Sequence, residues 1–501
     1  MAKKRFFGKA VFPFVMLIFL IRILNWALGD ISHDEVLSLG MYCHGLEGEV
    51  PSFWSIFRNY TLANNHMLSS ACYWLWLRVI SVDSSSLLLR LPSIAFGLLT
   101  LWLVSVQWRS WLGKRWSAVG GILLASSSIY TSFAYQIRGY SLSILLATLS
   151  VTALLELISS QGKRGQFLLC LSLFLQPLVM PSGVILAPAI ALILLLVCIR
   201  QDKNVCAAVP IILPGLLSAG LAGAYYLTLG SQVSMAAENA GRVAVLLWTR
   251  WSALGNVLLA FGLHAGILLL PIGNLLVSPG KGTSNQRVLP EGSFSNRQLV
   301  FLLLFSILLP ILGMFLLAPA KLLPFPRNCL LFLPLFTFAL LLAAREQHFF
   351  RRCPVVLICL LLLYAFAVES FFSWRTGRLI QQGKRPLSLT MQLYRGANEF
   401  TRIARMCREI KLQPQTMIIT QDYDLATLLW HMTACGLDTQ YVHSPKTIKS
   451  EIFHRPLGNL PVLVIAQNDI QAVELMQVAG LNPRKKRLLE VFQRRRLYVV
   501  E

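Results

Sequence analysis

Charge is scarce in this chain of 501 residues: only 13% of them are charged, about half the share usual in soluble globular proteins. Acids are the scarcer sign, with 22 Asp and Glu against 45 Lys and Arg. The ten cysteines are scattered; no CxxC pair and no His/Cys cluster at zinc-ligand spacing occurs, which removes the usual sequence support for a structural zinc site or a dithiol centre. There is no GxSxG elbow, no Gly-Lys phosphate loop, no HExxH and no dinucleotide fingerprint. Chemistry on soluble nucleotides, including nucleotide-driven transport, therefore has no motif behind it. No strong internal repeat is present, and the basic N-terminus with its apolar run is followed by no small-residue cleavage site, so that run reads as a retained first span.

Apolar residues fill the gap. They make up 55% of the chain, and the mean hydropathy is +0.62. Runs of roughly 17–25 apolar residues suffice to cross about 30 Å of hydrocarbon as helices. Such runs fall at about 11–28, 91–107, 117–134, 140–158, 166–180, 183–199, 206–229, 251–277, 299–318, 328–344 and 354–372. The net charge of +23 is not a nucleic-acid signal here, because Lys and Arg cluster in short loops between these runs. With "KKR" at the start placed in the cytoplasm, every second loop is basic: "RSWLGKR", "SSQGKRG", "RQDKN", "SPGKGTSNQR" and "REQHFFRR". That is the positive-inside pattern. It holds only if residues 66–80, "HMLSSACYWLWLRVI", form an interfacial helix rather than a span.

The expected fold is thus a polytopic α-helical membrane protein over residues 1–372, about eleven spans plus juxtamembrane helices, with residues 29–90 as one long external segment. Residues 373–501 then form a small extracytoplasmic α/β domain. Its runs "TMIIT", "PVLVIA" and "RLYVV" read as buried strands, with helices near 397–410, 422–435 and 468–479. Residues 278–297 read as a loop.

The stretch "GDISHDEVLSL" sets Asp34 and Glu35 at the start of the external segment. Taken singly, either acid also reads as a solvated residue in the first turn of a helix, and Asp30 as a cap of that helix. Around them the same face carries Arg58, Arg78, Arg90, Arg138, Arg242, Arg250, Lys321 and Arg327. An acid pair among cations at the bilayer boundary suits a reaction on an anionic lipid headgroup, with Arg gripping phosphate and a carboxylate acting as base. Each of Arg90 and Arg138, at a span's external end, also reads as a snorkelling residue when taken alone. His66 reads equally as a helix-entry or aromatic-belt residue.

In the order "HDEVLSL", "NNH", "RLPS", "YQIRGYS" and "PFPRNC", these stretches resemble the GT-C class of membrane glycosyltransferases, closest to its protein mannosyltransferase and lipid A aminoarabinose transferase group. The likeness is good over about residues 1–160, looser to 372 and absent from the tail. It implies transfer of a sugar from a polyprenyl-phosphate-linked donor to a lipid, glycan or protein acceptor on the extracytoplasmic side of a bacterial inner membrane, with no nucleic-acid partner. It also implies Asp34 and Glu35 as catalytic residues, Asp34 accepting the acceptor's proton and Glu35 positioning the acceptor or a divalent metal ion. Arg138, Arg90 and Arg327 would face the donor phosphate, and His66 would contact donor or acceptor.

Two rival readings remain open at this level. A transporter or flippase of a lipid-linked saccharide predicts ionisable groups near mid-span; those within the spans are few, with Arg22 towards the end of the first span, Glu156 near a cytoplasmic end, His264 mid-span and Glu369 near an external end. A non-catalytic membrane scaffold predicts that Asp34 is dispensable. In the tail, Asp422, Tyr423, Asp424 and His431 form a possible polar patch to which no chemistry is assigned, and Cys407 and Cys435 suit either a disulfide or a reduced buried pair.

Overall fold

The structure, a computed structural model, describes residues 2–45, 50–60, 65–82, 84–160, 162–202, 206, 208–236, 249–277, 294–317, 326–352, 354–381, 399–409, 416–435, 437, 442–445, 462–466, 469–491 and 495–500. Arg242, Lys321 and most of the 278–297 loop lie outside these residues, as do the side chains of Glu369, Asp422 and Tyr423.

The main helices of the first part are α1 (Ala2–Ala27), α2 (His33–Leu39), α3 (Met67–Trp76), α4 (Ser86–Trp102), α5 (Lys114–Ser126), α6 (Ser128–Ala134) and α7 (Tyr140–Ser160). They continue with α8 (Lys163–Val179), α9 (Leu186–Asp202), α10 (Val209–Thr228), α11 (Arg250–Ala265), α12 (Asn296–Leu317), α13 (Leu333–Glu346) and α14 (Pro354–Gln381). Each of the eleven expected spans contains one of these helices or the α5–α6 pair. Among the described residues, eight stretches are long and apolar enough to cross a membrane. The α5–α6 pair makes a ninth if it counts as one span; α1 carries a shorter apolar stretch, Val11–Leu24, and α8 has 17 residues. The helix α3 has 10 residues, too few to cross hydrocarbon, as expected for the 66–80 segment.

The 117–134 segment is not one straight helix. It bends by 67° between α5 and α6, at a run of three serines where the Ser127 hydroxyl accepts from the Tyr130 amide and so starts a new helix. Polar groups freed at this depth need partners inside the protein. Ser127 Oγ lies 2.8 Å from His264 Nδ1, whose Nε2 lies 3.0 Å from Thr337 Oγ1, and Arg22 donates to Ser128 Oγ at 3.0 Å. His264 and Arg22 therefore join helices.

Two spans form the centre of the bundle. The windows in Tyr140–Ser159 and Pro326–Glu346 are each 89% buried, against 22% for Val209–Thr228 and 24% for Val355–Phe372. The two central helices start from the segments that carry Arg138 and Arg327, so both guanidinium groups stand on the most rigidly packed part of the fold.

The tail contains helices α15 (Glu399–Glu409), α16 (Asp422–Ala434) and α17 (Asp469–Val478), and strands β1 (Met417–Ile419), β2 (Val442–His443), β3 (Val462–Ala466), β4 (Lys486–Val491) and β5 (Arg496–Val500). The sheet order is β2-β1-β3-β5-β4, parallel across β2-β1-β3 and antiparallel at β5 and β4. The three expected strands and three expected helices are all present. Strands β2 and β4 were not expected from the sequence: β2 has two residues, and β4 is a partly exposed edge with a register shift between Leu488 and Glu490. Alternation along the strands splits the core in two. Ile418, Leu463, Ile465, Leu497 and Val499 meet α15 and α16; Met417, Ile419, Val462, Val464 and Tyr498 meet α17. Cys407 and Cys435 are free thiols in the first of these layers.

The tail is seated on the membrane part at the start of α2. Ala426 and Trp430 of α16 pack on the cluster formed by Ile31, Val36, Leu39, Tyr42 and Leu77.

Candidate functional site

The paired acids separate because successive side chains on an α-helix point about 100° apart. Helix α2 begins after Ser32, so Asp34 and Glu35 occupy its first turn and face opposite ways. Glu35 turns inward and is wholly buried. Its Oε2 accepts from the Ser32 amide at 2.8 Å and the Ser32 hydroxyl at 2.7 Å, the reach back to the helix start that a capping glutamate makes. Arg90, wholly buried on α4, grips the same carboxylate through Nη2–Oε2 at 2.8 Å and Nε–Oε1 at 3.0 Å. Oε1 also accepts the Ile137 amide at 3.0 Å. The remaining Arg90 donors go to the carbonyls of Trp26, Ala27, Gly29 and Asp30 at 2.7–3.0 Å.

This knot corrects two expectations. Arg90 does not face a donor phosphate: its guanidinium is consumed by one carboxylate and four carbonyls, out of solvent. Glu35 does not present an oxygen to an acceptor or a metal, because its lone pairs are already filled by Arg90, Ser32 and Ile137. What the pair does is structural and local: it joins the end of α1, the start of α2, α4 and the turn before α7.

That junction places Asp34 beside Arg138. The Ile137 amide held by Glu35 precedes Arg138 by one residue, and Asp34 precedes Glu35 by one, so fixing the inner pair sets the outer pair. Arg138 Nη1 bonds Asp34 Oδ2. Arg327, from the 3₁₀ turn Pro326–Phe332, reaches the same oxygen at 3.5 Å. The Asp34 side chain is 29% exposed, Arg327 20% and Arg138 2%. Both guanidinium groups also sit over the Tyr140 ring, at 5.1 and 5.8 Å from its centroid. Burial by itself would raise the Asp34 carboxyl, but Arg138 and then Arg327 hold it well below the usual carboxylate range. The acid is an anion clamped between two cations.

His66 stands on the far side of Arg138. Its position is set by Asn65, whose amide donates to the Ile56 and Asn59 carbonyls at 2.8 Å each. Since a carbonyl only accepts, the 3.1 Å contact of Nδ1 with the Val179 carbonyl puts the ring proton on Nδ1. Nε2 is left as an acceptor, buried and without a partner among the described residues. Burial, and then Arg138, push the imidazole down to about 3, so it is neutral at ordinary pH. The ring borders a narrow crevice lined also by Ser38, Cys43, Ser69, Tyr73 and Arg138, where the Ser69 hydroxyl too is buried without a partner among the described residues. The close approach of His66 depends on Gly139: a Cβ there would lie 2.9 Å from His66 Cβ and 2.7 Å from Val179 Cγ1.

The structure thus brings Asp34, Arg138, Arg327 and His66 into one neighbourhood and sets Glu35 and Arg90 beneath it. Of the other cations, Arg78 stacks on Trp74 at 4.1 Å and Arg250 donates to the Leu316 carbonyl at 2.6 Å. Sequence reading assigned no role to Tyr140, Gly139 and Asn65, although all three lie within the quoted "YQIRGYS" and "NNH" elements. A divalent ion does not fit the donors present. Among the described residues no group of three His, Cys, Asp or Glu gathers, Glu35 has no oxygen to spare, and Asp34 already faces two cations.

No protein-family model and no curated protein matches this sequence. Among solved structures, the chain is similar to the archaeal oligosaccharyltransferase AglB from Archaeoglobus fulgidus in complex with an inhibitory peptide and a dolichol-phosphate: 12% identity, TM-score 0.42, 95% of this chain and 69% of that one covered. It is also similar to ArnT from Cupriavidus metallidurans bound to undecaprenyl phosphate, at 12% identity and TM-score 0.39, covering 98% and 97%. What the site can do follows from its own residues.

Two substitutions check this geometry. Arg90→Met leaves the Glu35 charge buried and unpaired, and is expected to cost about 3–5 kcal/mol in thermal unfolding of the detergent-solubilised protein, with part recovered in Arg90→Met/Glu35→Gln. Gly139→Ala overpacks the His66–Val179 contact and is expected to cost about 1–3 kcal/mol in the same measurement, whereas Ala at Gly255, where a Cβ meets nothing within 4 Å, is tolerated.

Proposed function

We propose that the protein is an integral-membrane glycosyltransferase that moves a sugar from a polyprenyl-phosphate-linked donor to a lipid, glycan or protein acceptor on the extracytoplasmic face. The observation that carries this reading is the convergence of Arg138 and Arg327 on one oxygen of a partly exposed carboxylate. The alternation of basic loops supports the orientation, with the N-terminus in the cytoplasm of a bacterial inner membrane and both Asp34 and the tail outside.

In the reaction, an acceptor hydroxyl attacks the anomeric carbon. The new oxygen–carbon bond forms as the carbon–oxygen bond to the lipid phosphate breaks, and the hydroxyl proton passes to Asp34. The phosphate takes the bonding pair, and its growing charge falls to Arg138 and Arg327, a contribution usually larger than the proton transfer. Both cations stand on the central helices and need little rearrangement. His66 Nε2, an acceptor fixed by Val179, suits a hydroxyl of the sugar or the acceptor.

Asp34 is a poor base while both guanidinium groups hold it. Donor phosphate competes for the same donors, and as it takes them the carboxylate is released and its proton affinity rises. The resting ion pairs are therefore the state from which the base is activated by its own substrate. Transport is the weaker reading, because Arg22 and the mid-span His264 are bonded to Ser128, Ser127 and Thr337.

With labelled polyprenyl-phosphate sugars in membranes, Asp34→Asn is expected to lower transfer by about 10²–10⁴-fold; unchanged transfer would remove Asp34 as the base, and lipid movement by the wild type without bond formation would favour a flippase. The pH profile carries a second test. Because the free-enzyme carboxyl is depressed, kcat/KM should stay level down through about pH 4, the ordinary carboxylate range, while the acid limb of kcat, which reports the donor complex, appears at higher pH.

A further inference from the structure

The acid loop is held from two sides, and only one of them is the membrane bundle. From below, Arg90 takes the carbonyls of Trp26, Ala27, Gly29 and Asp30. From above, the Asp30 carboxylate turns away from α2 and meets the first turn of α15, some 370 residues later. Its Oδ2 accepts the Phe400 amide at 2.7 Å and the Thr401 amide at 3.4 Å, and its Oδ1 accepts the Thr401 hydroxyl at 2.6 Å. Asp30 is a helix cap, as one reading of the sequence had it, but for a helix of the tail: α2 is capped by Ser32. A carboxylate at this end of an 11-residue helix satisfies free amides and meets the favourable end of the helix dipole.

The seat is completed by neighbours of that turn. Phe400 and His431 stack with ring centroids 6.0 Å apart and planes 6° from parallel, and His431 Nε2 lies 3.4 Å from the Ile31 carbonyl. Arg495 covers the other side of Phe400 at 4.1 Å and is itself locked to Asp424 at 2.6 and 3.0 Å and to Glu399 at 2.7 Å. Asp30 and Asp34 are four residues apart, with Ser32, the partner of Glu35, between them. A shift of Asp30 is passed to Asp34 through a connection with almost no slack.

We propose that the tail domain is a clamp on the acid loop and that Asp30 is the positioning residue through which it acts. With the clamp engaged, the backbone at Asp34 is fixed, so the carboxylate keeps its place once donor phosphate draws Arg138 and Arg327 away; with the Asp30–Thr401 contact cut, α2 still forms but opens more often along its length. The inference rests on the proposed role of Asp34 and adds to it a task for the tail.

The test uses the full chain in detergent or nanodiscs, comparing wild type with Asp30→Asn, Thr401→Val and the conservative Thr401→Ser. Hydrogen exchange without any substrate is expected to speed up about tenfold at the amides of residues 33–39 in Asp30→Asn and Thr401→Val. The central strand β3 should stay unchanged, and Thr401→Ser should restore wild-type protection. In the transfer assay the same two variants should lose about 10–100-fold in kcat, the scale of a displacement near 1 Å, with KM for the polyprenyl donor within about twofold because Arg138 and Arg327 stand on the membrane helices. Unchanged exchange at 33–39, exchange that rises equally in β3, or kcat unchanged in both variants would overturn the clamp. If wild type makes no glycosyl product, the transferase reading falls, and the exchange comparison still decides the clamp.

Discussion

The buried pairing of Glu35 with Arg90 is the interaction on which the rest of this site depends. A carboxylate and a guanidinium removed from water are tolerated only when every donor and acceptor is matched, and here five donors reach the carboxylate while the guanidinium serves four carbonyls as well. The partners come from α1, α2, α4 and the turn before α7, so the pair acts as a common fastening for elements far apart in the chain. It also explains why two acids stand side by side. One residue of helix separates an inward face from an outward one, so the inner acid fixes the frame and the outer acid faces the open side.

Asp34 inherits its surroundings from that frame. Arg138 follows the amide that Glu35 holds, and Arg327 begins the other central helix. Packing at the centre of the bundle thus determines where two positive charges sit, and those charges keep the carboxyl ionised although it is largely out of water. Preorganised charges of this kind need not reorient when a phosphate develops charge.

The tail shows how a separate α/β layer becomes part of the neighbourhood of Asp34 through contacts with the residues just before it. Its two apolar layers are self-sufficient, and its contact with the membrane part is small but directed, through Asp30, Ile31 and Trp430. The charges inside it, Arg495 with Asp424 and Glu399, stiffen the helix ends that make this contact.

Apolar run length determined the class of the fold and where its apolar helices lie, although among the described residues eight or nine stretches, not about eleven, are long and apolar enough to cross a membrane; transfer of residues into hydrocarbon depends on composition more than on neighbours. Strand and helix order in the tail was legible for the same reason: strands buried on both faces are continuous apolar runs, while β2, two residues long, and β4, half exposed, leave no such trace. The likeness of the quoted stretches to a family pointed to Asp34, Arg138, Arg327 and His66, and the structure gathers these four. It could not tell that Glu35 and Arg90 hold each other, nor that Asp30 caps a helix 370 residues away. Those are pairings between residues remote in the chain, and a sequence records which groups can bond but not which of them folding brings within 3 Å.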